Sequence, residues 1–387
     1  MSGVNIGKLS ALCAAGALVA GCGRVGAVPS DGPSPEAAVD WPAGLTIAGG
    51  FRYAVVADGV AWIVTKHTDT NTLELSRMTL ADGAITTSTL AGQYPALGES
   101  EGLAEDGGGH LWLADADGFI EVDEATGGVK VLTPASGPFG VATSGDDPAA
   151  GEIFSASWDS SRGLLLFVRV DDSRLFGLDP NTDEVSTISD LPIKTSVASR
   201  VAIAGDGSIA INGQVPGTNT FSPASAVLAA HGGSVTSVAG LLRVCGATSS
   251  LMAIDTAGQV SVVGAAGRLL GAFAAPVTST QPLFACDAAG DVFTAAFVSS
   301  ADGSHGTFEV DRVSSTGKNS SWTLSLTGHA VDSREPGTPP RIVFDVPEVT
   351  ALLPDAAAGV WVLDDAGPTS GGQAQSYPSI WRPALDP

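Results

Sequence analysis

Basic residues are scarce in this chain: 18 Lys and Arg stand against 41 Asp and Glu in 387 residues, a formal net charge of -23. The acidic excess is spread along the chain rather than gathered in one tail. That excludes a nucleic acid or an anionic membrane surface as partner. Charge of either sign is thin, at 15% of residues. The apolar run near the N-terminus, residues 9–21, is too short to cross a bilayer and has the length of a signal-peptide core. Cysteine is sparse as well, four residues in all. What fills the chain instead is Gly, 49 residues, with short Val, Ile and Leu runs set between Gly, Asp, Ser and Thr clusters. Such a chain makes many short strands and tight turns. Its length allows two domains, but all-β architectures of this size commonly form one.

The N-terminus carries an export pattern. The amino group and Lys8 precede the apolar run, and "LVAGC" at residues 18–22 puts small residues before Cys22. This resembles the bacterial lipobox, and the resemblance implies cleavage after residue 21 and a diacylglycerol on Cys22. Residues 23–40 (GRVGAVPSDGPSPEAAVD) have no apolar periodicity and read as a flexible tether. The chain therefore divides into a lipoprotein signal peptide (1–21), a lipidated Cys with its tether (22–40) and a folded domain (41–387). No Asp follows Cys22, so in a Gram-negative cell the lipoprotein sorting rule implies the outer membrane. The expectation is a monomer in the cell envelope, at the outer membrane or cell surface, touching the membrane through its lipid alone.

Internal similarity organises the rest. "GLAEDGGGHLWLAD" (102–115), "TALLPDAAAGVWVLDD" (350–365), "PLFACDAAGDVFTAAF" (282–297), "VAIAGDGSIAING" (201–213) and "AVVADGVAWIVT" (54–65) share one plan. Each is a small-apolar strand, an Asp/Gly/Ala turn, and a second strand with an early Trp or other apolar residue. A further hairpin comes next: "FIEVDEATGGVKVL" matches "LFGLDPNTDEVSTI" (175–188) and, loosely, "FEVDRVSSTGKNSSWTL" (308–324). One repeat is thus a four-stranded antiparallel meander, and meanders bury both faces by packing around an axis as a β-propeller. Counting gives seven blades, near 53–90, 102–133, 152–188, 200–240, 242–274, 282–326 and 349–387, with six or eight left open by the irregular stretches 139–151 and 328–347. The last blade shows only three strands, while "GLTIAGG" (44–50) has no partner of its own. This N-terminal strand is expected to complete the last blade and close the ring, which removes the exposed edges.

The blade pattern resembles the NHL-type, virginiamycin B lyase-like and gluconolactonase-like propellers. "ESEGLAEDGGGHLWLADADGFIEVDEATGGV" looks like the opening blade of the gluconolactonase-like group, and the resemblance places Glu101 at a divalent metal in the channel. Matching Asn and Asp ligands from other blades are not found, so the activity is not carried over and no cofactor is expected. The G-x-S-x-G match around Ser100 leads into a strand and not a helix, which removes it as a nucleophile elbow.

The remaining chemistry-bearing residues divide by repeat position. His67, His110, His231, His305 and His329 are scattered, which gives no acid-base pair. Asp115, Asp117, Glu121 and Asp123 cluster without the EF-hand spacing and read as turn caps. Trp62, Trp112, Trp361 and Phe293 occupy equivalent second-strand places and read as packing between blades; Trp158, Trp322 and Trp381 fall elsewhere. With Cys13 removed and Cys22 lipidated, Cys245 and Cys286 remain as a candidate disulfide on the first strands of consecutive blades. The function this supports is binding or scaffolding through loops at the channel ends, among them 137–151, 213–223, 328–347 and 366–379. A lactonase-like metal hydrolase or a lyase in the channel is the alternative.

Overall fold

Hairpins form here because their turns have residues that accept the required backbone. At residues 57–60, Asp58 has φ 50° and Gly59 φ 76°, the two left-handed positions of a type I′ turn. Elsewhere an Asp carboxylate receives the turn's N–H groups. Oδ1 of Asp106 accepts from Gly108 at 2.7 Å and His110 at 3.1 Å. Oδ1 of Asp355 accepts from Ala357 at 2.8 Å and Gly359 at 3.0 Å. On the outer hairpins Asp123 and Asp179 take the same part toward Thr126 and Asn181.

A computed structural model describes residues 45–48, 50–67, 69–92, 102–115, 118–132, 153–170, 172–196, 199–217, 222–230, 234–263, 269–272, 283–299, 305–327, 329–331, 341–343, 349–355, 357, 359–364 and 379–385. Among them there is no helix, and the strands form seven four-stranded antiparallel sheets and one two-stranded sheet. The four-stranded sheets are blades one to seven, at 50–89, 103–132, 153–190, 201–239, 241–272, 283–327 and 349–381. First strands of neighbouring blades touch all round the ring, that of blade seven (Val349–Pro354) lying against that of blade one (Gly50–Ala57). The fold is a seven-bladed β-propeller.

Blade seven takes its outermost strand from the other end of the domain. Leu45–Thr46 pairs antiparallel with Ser379–Trp381, Leu45 opposite Ile380 and Thr46 opposite Ser379. Both the count of seven and this closure are as the sequence led one to expect. The stretch 328–347 differs: His329–Val331 and Arg341–Val343 form a two-stranded hairpin apart from the blades. Its strands are separated by the nine residues 332–340, a longer spacing than the repeat's Asp/Gly turns have, so a search for that repeat passes over it. Segment 137–151 lies outside the described residues, as does 366–378.

Among the described residues the core divides into seven clusters, one at each junction of neighbouring blades. Trp62 packs between blades one and two, Trp112 between two and three, Phe293 between six and seven, and Trp361 between seven and one. Trp112 and Phe293 are fully buried, each contributing about 1.5–3 kcal/mol through burial. Where first strands approach most closely no side chain fits. A Cβ on Gly246 of blade five would lie 1.9 Å from the carbonyl oxygen of Ile203 in blade four. The outer strands are polar, as in Ile85–Thr89 with four exposed Thr and Ser residues.

Candidate functional site: the central channel and its two mouths

The first strands run in one direction, so their starts gather at one mouth of the channel and their ends at the other. At the ends stand Asp58, Glu105, Asp106, Asp159, Asp206, Asp287 and Asp355, in six of the seven blades. Most are committed to turns and ion pairs. Asp159 binds Ser161 and Arg162; burial alone would raise its pKa, but those hydrogen bonds and the Arg162 charge together hold it below the ordinary value. Asp355 pairs with Arg382, and Asp291, on the same turn as Asp287, pairs with Arg312 at 2.6 Å.

Between blades one and four this mouth opens into a cavity of about 520 Å³ that includes its solvent-filled entrance. Val55, Val56, Ala57, Leu103, Ala104, Glu105, Ser157, Trp158 and Ile203 line it. Glu105 is the one ionisable side chain in that lining. Its Oε1 accepts the Gly107 N–H at 2.7 Å. Burial raises its pKa, the Gly107 hydrogen bond opposes the rise, and the charges of Asp106 and Asp58 add to it. Glu124 nearby is raised first by burial and then by Glu105 and Asp106. Ser157 is occupied, its hydroxyl donating to the Val201 carbonyl at 2.6 Å. The cavity thus offers an indole, one carboxyl group biased toward its neutral form, and walls that expose more polar than apolar surface although most of the lining side chains are aliphatic.

Glu101 lies outside the described residues, as do Ser100, Asp117, Cys22 and His231. Among the described residues no three His, Cys, Asp or Glu side chains are placed to share a metal ion. The acidic cluster of blade two is dispersed along its hairpins. Asp115 stands opposite Gly118 at the end of the second strand, Glu121 lies 3.7 Å from Lys130, and Asp123 caps its turn through Thr126. His67 and His110 sit in different blades, each beside its own carboxylate: Glu74 at 3.2 Å and Asp106 at 3.1 Å. Asp106 also accepts the indole N–H of Trp112 at 3.2 Å, so it orients a turn and a core residue together. His305 is exposed at a strand start in blade six.

The opposite mouth has a different character. Arg52, Arg200 and Arg243 stand at the starts of the first strands of blades one, four and five. The sequence holds a signal for them that a repeat defined by its turns passes over. In "FRYAVVADG", "SRVAIAGDG" and "LRVCGATSS" the Arg falls six residues before Asp58, Asp206 and Ser249, one repeat position in three blades. Arg52 donates from Nη1 to the Phe51 carbonyl at 2.8 Å, and Arg200 from Nη1 to the Ser199 carbonyl at 2.9 Å. One level below Arg243, Cys245 is bonded to Cys286 of blade six, with their Cα atoms 5.9 Å apart. This covalent link crosses between neighbouring first strands.

No family model and no curated protein matches this sequence. The chain is similar in fold to solved propellers. BamB from Moraxella catarrhalis is 12% identical with a TM-score of 0.42, over 89% of this chain and 99% of that one. The β-propeller domain of the Trilobed protease from Pyrococcus furiosus is 10% identical with a TM-score of 0.45, over 87% and 95%. The calcium-binding protein regucalcin from Agrobacterium tumefaciens is 15% identical with a TM-score of 0.36, over 89% and 93%.

Proposed function

We propose that the chain is a lipid-anchored extracytoplasmic β-propeller of the NHL-like group that works as a binding or scaffolding module, with its ligand taken at the channel. The observation that carries this reading is the cavity at the acidic mouth, walled by Val, Ala, Leu and Ile with Trp158 and a single carboxyl group, Glu105. A pocket with one carboxyl group can hold a small ligand by shape and a few polar contacts, whereas metal-dependent hydrolysis calls for several hard oxygen ligands converging from different blades. The lipobox-like residues 18–22 and the tether 23–40 support export and anchoring at the outer membrane or cell surface. The Cys245–Cys286 bond supports the same compartment, because disulfides persist where the surroundings are oxidising.

Metal content of the purified full chain tests this reading. The expected result is no stoichiometric divalent ion by inductively coupled plasma mass spectrometry. One equivalent of metal that disappears in Glu101→Ala would overturn it in favour of a lactonase-like channel. The anchor has its own test: labelling of cells with an alkyne fatty acid should mark the wild-type protein and leave Cys22→Ala unmarked.

A further inference from the structure

We propose that the cavity at the acidic mouth takes the ammonium group of a small organic cation, held between the Glu105 carboxylate and the indole of Trp158. This rests on the reading of that cavity as a binding site and names the class of ligand it would take.

Blades one to four build the cavity from the ends of their first strands, and two of its lining side chains can recognise charge: Glu105 of blade two and Trp158 of blade three. Glu105 is held in place. Leu103, two residues before it and on the same strand face, packs into the junction with blade one, and Oε1 of Glu105 accepts the Gly107 N–H at 2.7 Å. Among the described residues nothing engages its other oxygen, which leaves Oε2 for a ligand. Trp158 is half-buried, packed against the cluster between blades two and three, and presents the rest of its ring to the same cavity.

Negative charge gathers at this end of blade two without a cation to match it. Asp58 and Asp106 stand beside Glu105. Glu124 is brought against the same turn by its N–H, which donates to the Gly109 carbonyl at 2.9 Å, and its Oε1 is buried and accepts no hydrogen bond. Among the described residues no Lys or Arg pairs with Glu105 or Glu124; Arg77, whose charge reaches Glu124, lies over the ring of Trp62 at 5.8 Å. Burial first, and then the charges of Asp106 and Asp58, hold the Glu105 carboxyl above its ordinary value in spite of the Gly107 hydrogen bond. A bound ammonium group reverses that balance by favouring the carboxylate and pairing with it. The face of an indole attracts the same group through its quadrupole, an attraction that neutral and anionic ligands lack. A divalent metal ion fits less well, because the lining has one carboxyl group and the Ser157 hydroxyl is committed to the Val201 carbonyl. The volume of about 520 Å³, entrance included, sets the size of the ligand at that of a small molecule.

The test is titration calorimetry and tryptophan emission of the full chain with choline, with butylammonium and with dimethylbutanol, the neutral isostere of choline, all at one low ionic strength set with sodium chloride. At least one of the two ammonium ions should bind saturably at one equivalent, and dimethylbutanol should bind about tenfold more weakly or less. Binding of choline alone identifies a quaternary ammonium ligand, and binding of butylammonium alone a primary amine. Glu105→Gln should weaken ammonium binding by about tenfold and leave dimethylbutanol as it is. Trp158→Leu should weaken ammonium binding by about threefold to tenfold. If the Leu variant fails to fold, Trp158→Phe, which keeps a smaller ring face, should also bind more weakly than the wild type. Ammonium binding no tighter than that of dimethylbutanol, or unchanged in folded Glu105→Gln or in the folded Trp158 variant, would overturn the proposal. Dimethylbutanol bound as tightly as choline would keep the cavity as a binding site and remove its preference for cations. The metal content of the chain is read separately, so failure here is distinct from failure of the binding-module reading.

Discussion

Single carboxyl groups in this protein serve opposite ends by virtue of their neighbours. Asp159, held by Ser161 and Arg162, has its pKa depressed; Glu105, half-buried beside Asp106 and Asp58, has its pKa raised. A carboxyl whose folded pKa lies below its unfolded value contributes stability above the ordinary value of 3.8 and loses it as pH falls. A raised carboxyl does the reverse, so the Glu105 contribution is present below the ordinary value of 4.5 and is lost as pH rises through the folded value. Glu105→Gln keeps an oxygen for the Gly107 N–H and removes the titration. The Tm of this variant should gain on that of the wild type as pH is raised above the ordinary value of 4.5, the direction set by the upward Glu105 shift. A difference that stays constant across that range would remove Glu105 from the pH response.

Among the strands, closure of the ring depends on one of two residues and on the isoleucine just after it. Leu45–Thr46 covers the free edge of Ser379–Trp381, and Ile47, 3% exposed, enters the cluster of Ile380, Leu363, Ile63 and Met78. Ile47→Ala should cost about 2–4 kcal/mol, as for other buried Ile truncations, measured by denaturant unfolding. Deleting residues 44–48 should lower stability further and promote association through the uncovered edge, read by light scattering. The disulfide also acts between strands, tying the first strands of blades five and six across a separation of 41 residues. Reduction with dithiothreitol should lower stability by about 2–4 kcal/mol, and Cys286→Ser should abolish the response to reductant.

Over the ring as a whole, charge is sorted between the ends of the axis. One mouth collects carboxylates because the Asp/Gly turn comes after the first strand of nearly every blade; the other collects arginines because three blades carry Arg at one repeat position.

Legible along the chain was local chemistry, repeated. Turn residues such as Asp58-Gly59 and Asp123 with Thr126 set each hairpin, strand alternation set which residues are buried, and the missing fourth strand of the last blade assigned "GLTIAGG" its place. Each depends on neighbours a few residues apart or on a count of repeats. Which side chains meet across blades is a matter of how the blades pack. Glu105 and Trp158 come from different blades and share a cavity only because the ring curves their first strands toward one axis. Arg200 and Arg243 are 43 positions apart in the sequence, and stand at one height because the closest strand contact falls at Gly246 and Ile203. Cys245 and Cys286 come within 5.9 Å for the same reason: blade spacing around a closed ring is set by seven interfaces packing together, a property that no single repeat encodes.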